Sequence, residues 1–166
     1  MRLPDGTTYR EAAAQIFARH PAVGYCALGR TLGRDETIVI GGGMELTEQD
    51  CYIEAIDCDP RDSYAYCALG RSMTGTDEAW LKDGRLLTAR DCYIEAIDCY
   101  PNNSYAYCGL GSSMSEKFGL AVLKDGRVLT ERGCYIEAIT CDPCNGMGYN
   151  YLGCTMFDTE FLGRFS

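Results

Sequence analysis

Hydrophobic positions recur along this chain with helical spacing, interrupted at intervals by short apolar runs. In Ser63-Tyr-Ala-Tyr-Cys-Ala-Leu-Gly-Arg-Ser-Met73, residues Tyr66, Leu69 and Met73 stand at i, i+3 and i+7, one stripe of a helix. From Thr88 to about Cys99, Tyr93, Ala96 and Ile97 stand at i, i+3 and i+4, predicting a second helix that Pro101 ends. Between the two lies Ala79-Trp-Leu-Lys-Asp-Gly-Arg-Leu-Leu87, with short apolar runs on either side of Asp83-Gly84. Asp-Gly in that setting predicts a β-hairpin with a type I′ turn, in which both central residues have positive φ. Asp62 or Ser63 and Asn103 or Ser104 suit the N-cap of the first helix, and Thr47, Thr88 and Thr130 that of the second. Asp50 and Asp91, three residues after their threonines, make a loose capping box.

This pattern repeats. The words from Leu87 to Gly111 return, little altered, from Leu46 to Gly70 and from Leu129 to Gly153. Tyr25, Tyr66, Tyr107 and Tyr149 mark equivalent places at intervals of 41, 41 and 42 residues. The expected organisation is a single repeat domain over 1–166: a half unit at 1–21, units at 22–62, 63–103 and 104–145, and a partial unit at 146–166. The half unit has Asp5-Gly6 and a helical run from Tyr9 to His20; Asp125-Gly126 and Gly42-Gly43 stand at the other hairpin turns. The chain reads as a segment of a longer array that begins mid-unit and leaves Phe157, Phe161, Leu162 and Phe165 in need of cover. A second helix of about three turns is too short to stand alone in water and must be buried by its neighbours. Gly29, Gly70, Gly111 and Gly153 sit inside first helices, where glycine costs about 1 kcal/mol relative to alanine, so a neighbouring helix is expected to approach closely there.

Composition narrows the function. A net charge of −9 argues against a protein that grips a phosphate backbone. No apolar run approaches the 18 residues of a membrane span, and Met1-Arg-Leu-Pro-Asp-Gly lacks a signal-peptide core, so a cytoplasmic location is expected. Eleven cysteines are many, yet most recur with the repeat: Cys51, Cys92 and Cys134 at one position, Cys58, Cys99 and Cys141 at another, Cys26, Cys67 and Cys108 at a third. Such cysteines read as small apolar packing residues rather than a disulfide framework.

Other chemistry is thinly represented. Cys141-Asp-Pro-Cys144 is the one C-x-x-C, without a thioredoxin-like setting or a second pair to complete a zinc site. His20, the sole histidine, precedes Pro21 at a helix end and reads as a surface residue. Glu54, Asp57, Glu95, Asp98 and Glu137 recur on the second helices as a solvated face would. Gly41-Gly42-Gly43 follows the strand-like Ile38-Val-Ile40 as a phosphate loop would, but its alignment with the Asp-Gly turns makes it a hairpin turn. No P-loop, nucleophile elbow or H-E-x-x-H is present. Neither a cofactor nor an enzyme activity is expected.

Taken in register, Tyr66, Leu69, Gly70 and Met73, followed by Ala89, Tyr93, Ala96 and Pro101, resemble the tetratricopeptide repeat. Glu48 and Glu131 replace Ala89 in the neighbouring units, and 41 or 42 residues exceed the family's unit of about 34 by roughly the length of the hairpin. The resemblance implies a mainly α fold: a right-handed α–α superhelix, or solenoid, with short β-hairpins inserted between the helices of each pair. It implies a non-enzymatic scaffold that binds a peptide or protein on a concave face of first helices. Carried over by register, that face would present Val23, Cys26 and Arg30, then Tyr64, Cys67 and Arg71, then Tyr105, Cys108 and Ser112. A Tyr–Cys–Arg surface offers an aromatic shelf and a guanidinium for a carboxylate; alternatively, these side chains pack against the hairpins. Two other readings stay open: a cysteine-based metal or redox sensor, and a helical-repeat RNA binder, which the acidic balance opposes. Oligomeric state is not legible.

Overall fold

The computed structural model describes residues 17–41, 43–114 and 119–162, with side chains described up to Thr155. Among them the chain is mainly helical, with short antiparallel strand pairs between helices. The order is α1 (Pro21–Gly29), β1 (Thr37–Ile40), β2 (Met44–Thr47), α2 (Glu48–Cys58), α3 (Ser63–Ser72), β3 (Glu78–Trp80), β4 (Leu86–Thr88), α4 (Ala89–Cys99), α5 (Ser104–Ser112), β5 (Leu120–Val122), β6 (Val128–Thr130), α6 (Glu131–Cys141) and α7 (Gly146–Leu162). Of the helical run read over Tyr9–His20, residues 17–19 are helical and His20 is exposed. Its remainder, the Asp5-Gly6 turn and the side chains of Phe157, Phe161, Leu162 and Phe165 lie outside what is described.

The caps form as local chemistry dictates. Thr47 and Thr88 each accept the N–H three residues on, while Asp50 and Asp91 accept the N–H of their threonine, completing two capping boxes. At Thr130 the bond runs one way only, because Gly133 has no side chain to return it. Asp62, Asn103 and Asn145 cap α3, α5 and α7 through their side-chain oxygens. The first helix differs: His20 makes no capping bond and Pro21 supplies the fixed φ of the first turn.

Each first helix packs on its own second helix, each second helix on the next first helix, and α1, α3, α5 and α7 touch in succession. Tyr66, Leu69, Met73, Tyr93, Ala96 and Ile97 are all buried, as their spacing predicts. The glycines mark where helices meet. A Cβ on Gly70 would lie 3.0 Å from the Ala89 carbonyl and 3.1 Å from the Tyr93 ring. On Gly29 it would lie 2.9 Å from Tyr52, and on Gly111 2.6 Å from Tyr135. The Tyr93 ring also covers Gly109 of the next unit, so one tyrosine wedges three helices together. Gly153 breaks the rule, with nothing among the described residues within 4 Å of its would-be Cβ; it has no described second helix over it.

The hairpins form, but not with the expected turn. Among the described residues only glycines have positive φ, in the hairpins +80° at Gly43, +87° at Gly84 and +88° at Gly126. Gly84 N–H donates to Leu81 O at 3.0 Å and Leu81 N–H to Arg85 O at 2.8 Å; Leu123, Gly126 and Arg127 repeat this. The loop is therefore three residues long, a type I turn followed by a left-handed glycine. Asp83 and Asp125 need no positive φ, and their carboxylates accept the N–H of Arg85 and Arg127.

Candidate functional site

The nine first-helix positions fall into two kinds. Val23, Tyr64 and Tyr105 are 56%, 45% and 61% exposed, and Met147 continues the row on α7. Arg30, Arg71 and Ser112, seven residues on, are exposed as well. Because successive first helices touch, these positions repeat from one helix to the next. Tyr64 and the two arginines are electrostatic neighbours: burial raises the Tyr64 phenol pKa, and Arg30 and Arg71 pull it back. Among the described residues neither arginine has a carboxylate within 4.0 Å.

The cysteines belong elsewhere. Cys26 and Cys108 are buried and Cys67 is half-buried, so they line the seam between first helices rather than a ligand surface. Cys26 faces the Asp62 carboxylate at 3.9 Å, and the Asn145 amide donates to Cys108 Sγ at 3.7 Å; each thiol thus touches the cap of the following first helix. Burial, reinforced by Asp62, pushes the Cys26 thiol up to about 12, and burial pushes Cys67 up to about 11. Cys92 and Cys134 are likewise pushed up to about 12, principally by burial. Such thiols stay protonated near neutral pH, which makes them poor nucleophiles and poor metal ligands. Cys141 points at Pro101 O from 3.7 Å, while Cys144 is exposed. Among the described residues no group of three or more His, Cys, Asp or Glu is placed to hold a metal ion, and no helix is long and apolar enough to cross a membrane.

Of the acidic residues on the second helices, Asp57 and Asp98 are exposed as a solvated face would be, whereas Glu54, Glu95 and Glu137 are partly buried and paired. Lys82, at the tip of the β3–β4 loop, reaches back to Glu54 at 2.6 Å and Asp57 at 3.7 Å on the preceding second helix. Arg85 on the same loop binds Asp83 at 2.7 Å, Glu95 at 3.1 Å and the Tyr66 hydroxyl at 2.9 Å. Lys124 repeats the backward reach to Glu95 and Asp98, and Arg127 the forward one to Glu137 and the Tyr107 hydroxyl. Each charged loop therefore spans two second helices and ties one unit to the next.

Two surfaces escaped the reading of the sequence. On the outer faces of the hairpins, Trp80 is 66% exposed opposite Leu86, and Val122 is exposed opposite Val128. The period-2 alternation of Ala79-Trp-Leu signals this outward tryptophan. The second is an open cleft of about 650 Å³ at the turns between units. The inter-unit turns and the first turns of α3 and α5 build it, and Tyr64 and Tyr105 form part of its wall.

No family model matches the chain, and no curated protein is significantly similar to it in sequence.

Proposed function

We propose that this chain is a non-enzymatic interaction scaffold, a tetratricopeptide-like right-handed superhelix that holds a peptide or protein on the stacked faces of its first helices. The observation that carries this reading is the exposed row Val23, Tyr64, Tyr105 and Met147, one large side chain per first helix, with Arg30 and Arg71 beside it. Repeated exposure of large apolar and aromatic groups is costly, and such patches mark interaction sites. Tyrosine and arginine are the side chains that anchor protein interfaces, combining contact area with hydrogen bonds. Two uncommitted guanidinium groups favour a partner that brings a carboxylate to the row. The high thiol pKa values weigh against a cysteine-based sensor, and a net charge of −9 weighs against an RNA partner. A cytoplasmic setting suits eleven free thiols.

The test compares two variants in quantitative affinity capture. Tyr64→Ala with Tyr105→Ala and Arg71→Glu removes the row; Asp57→Ala with Asp98→Ala alters the opposite, second-helix side. Proteins lost with the first variant and kept with the second are the expected result. Identical captured sets for both variants and the unaltered chain would sink the reading.

A further inference from the structure

The cleft at the inter-unit turns has a chemistry of its own. Tyr64, Tyr100 and Tyr105 line it and are all exposed, Tyr100 coming from the turn after α4 and not from a first helix. Its charged lining is Asp59, Asp62 and Asp142 against Arg61 alone. Asp62 is committed to capping α3 and to Cys26. Asp59 and Asp142 each use one oxygen, Oδ1, to accept a neighbouring backbone N–H and keep Oδ2 free of any described partner.

A further observation concerns the floor. Ser63 and Ser104 are equivalent first residues of α3 and α5, and both line the cleft. The Ser63 hydroxyl donates to Ala96 O at 2.7 Å and accepts from the Asn103 amide at 2.8 Å. Ser104 is only 5% exposed, yet its hydroxyl makes no hydrogen bond to the described residues. Among the described residues no fully buried side-chain polar atom is left without a partner, so the Ser104 oxygen, on the cleft lining, opens onto the cleft. A nearly buried hydroxyl left available is a polar contact waiting for a ligand.

Resting on the reading of the chain as an interaction scaffold, we infer that this cleft takes a lysine or arginine side chain of the bound partner. The tyrosine faces supply the cation–π shelf, the free oxygens of Asp59 and Asp142 supply the counter-charge, and Ser104 Oγ accepts an N–H. Charge complementarity selects the occupant: a cation gains from every one of these groups, whereas a carboxylate would meet three of its own kind. The partner segment is thus bipolar, with a basic residue at the turns and an acidic one toward Arg30 and Arg71.

Three ten-residue probes test this on the intact chain: alternating Arg-Gly, alternating Glu-Gly and alternating Ser-Gly peptides, titrated while backbone amide NMR shifts are followed. The Arg-Gly peptide is expected to saturate, with shifts confined to residues 59–64, 100–105 and 142. Tyr100→Ala with Tyr105→Ala should weaken it at least tenfold, and Asp59→Asn with Asp142→Asn several-fold. Ser104→Ala, which leaves helix packing intact, should weaken it about twofold, and the Ser-Gly peptide should produce no shifts. Arg-Gly shifts spread over the acidic second helices, or unchanged affinity in the tyrosine and aspartate variants, would overturn the cleft assignment. If the Glu-Gly peptide alone binds, with shifts at Arg30 and Arg71, the cleft fails while the scaffold reading stands.

Discussion

The β1–β2 hairpin and its counterparts β3–β4 and β5–β6 have the same register and the same loop length, yet they are held in different ways. Ile40 pairs with Met44 across three glycines, as Leu81 does with Arg85 and Leu123 with Arg127 across Lys-Asp-Gly. Gly43 has the same left-handed φ as Gly84 and Gly126. In the second and third hairpins, Ala79, Leu81, Ala121 and Leu123 are buried and the loop charges grip two second helices. In the first, Leu46 is buried like Leu87, but Ile38 and Ile40 are only half-buried, Met44 is exposed where Arg85 stands, and among the described residues the side-chain bond is internal, from Thr37 to Glu45 at 2.6 Å. Forming a hairpin and anchoring its loop are therefore separate achievements. A left-handed glycine suffices for the first; in the second and third hairpins a lysine and an arginine, neutralised by the helices below, hold the loop down.

The largest test asks whether the helix pairs beneath the hairpins are in fact alike. Gly70→Leu and Gly29→Leu should each destabilise by about 1–3 kcal/mol, because in both a side chain is forced against a tyrosine ring. A much smaller loss at Gly29, read by urea denaturation, would trace the difference to the helices instead of the loops.

Next, Arg85→Met gives the second hairpin the residue of the first. It should cost about 1 kcal/mol, since the arginine is partly solvated and its ion pairs are screened. It should also raise the Tyr66 phenol pKa further: burial already raises it, and the Arg85 hydrogen bond is what holds it down. Alkaline spectrophotometric titration reads this directly, and an unmoved phenol would mean that the guanidinium does not sit on Tyr66.

The converse change, Met44→Arg, should stabilise by no more than about 0.5 kcal/mol, the scale of a surface ion pair. Increased amide-exchange protection in β1–β2 would show docking; unchanged protection would show that the lysine is needed too.

The smallest effect is one of pH. Hydrogen bonds from the Arg85 and Arg127 backbone N–H groups, then from their guanidiniums, hold Asp83 and Asp125 below the usual carboxylate range. A depressed folded pKa means stabilisation that is complete above the ordinary value of about 4 and lost as pH falls through the lower folded value. Below pH about 4 the second and third hairpin loops should loosen, while the β1–β2 loop, with glycine in those places, should not. Amide exchange corrected for intrinsic rate would detect this, and equal loosening of all three loops would contradict it.

Much of the fold was legible because its determinants are local. Thr47 and Asp50, or Thr88 and Asp91, settle a helix start within four residues, and the 3.6 period of Tyr66, Leu69 and Met73 identifies the buried stripe. The turn type was misread because Asp-Gly permits two loop lengths. The pairing of Leu81 with Arg85 across three residues decides between them and leaves Asp83 outside the left-handed region. The glutamates Glu54, Glu95 and Glu137 were misread for a different reason: a periodic carboxylate looks the same whether it meets water or a loop cation.

The amino-acid sequence by itself determined the helices, their caps, the hairpins and the interval of 41 or 42 residues at which they return, because each depends on residues a few places apart. Tertiary structure alone decided what those elements present. It buried Cys26 and Cys108 in the seam while leaving Tyr64 and Tyr105 outside, and it turned Lys82 back to Glu54. It also gathered Asp59, Tyr100 and Asp142, from three different turns, around one cleft. The side-chain period within a helix says which residues share a face, but only the packing of one unit on the next says whether that face meets protein or solvent.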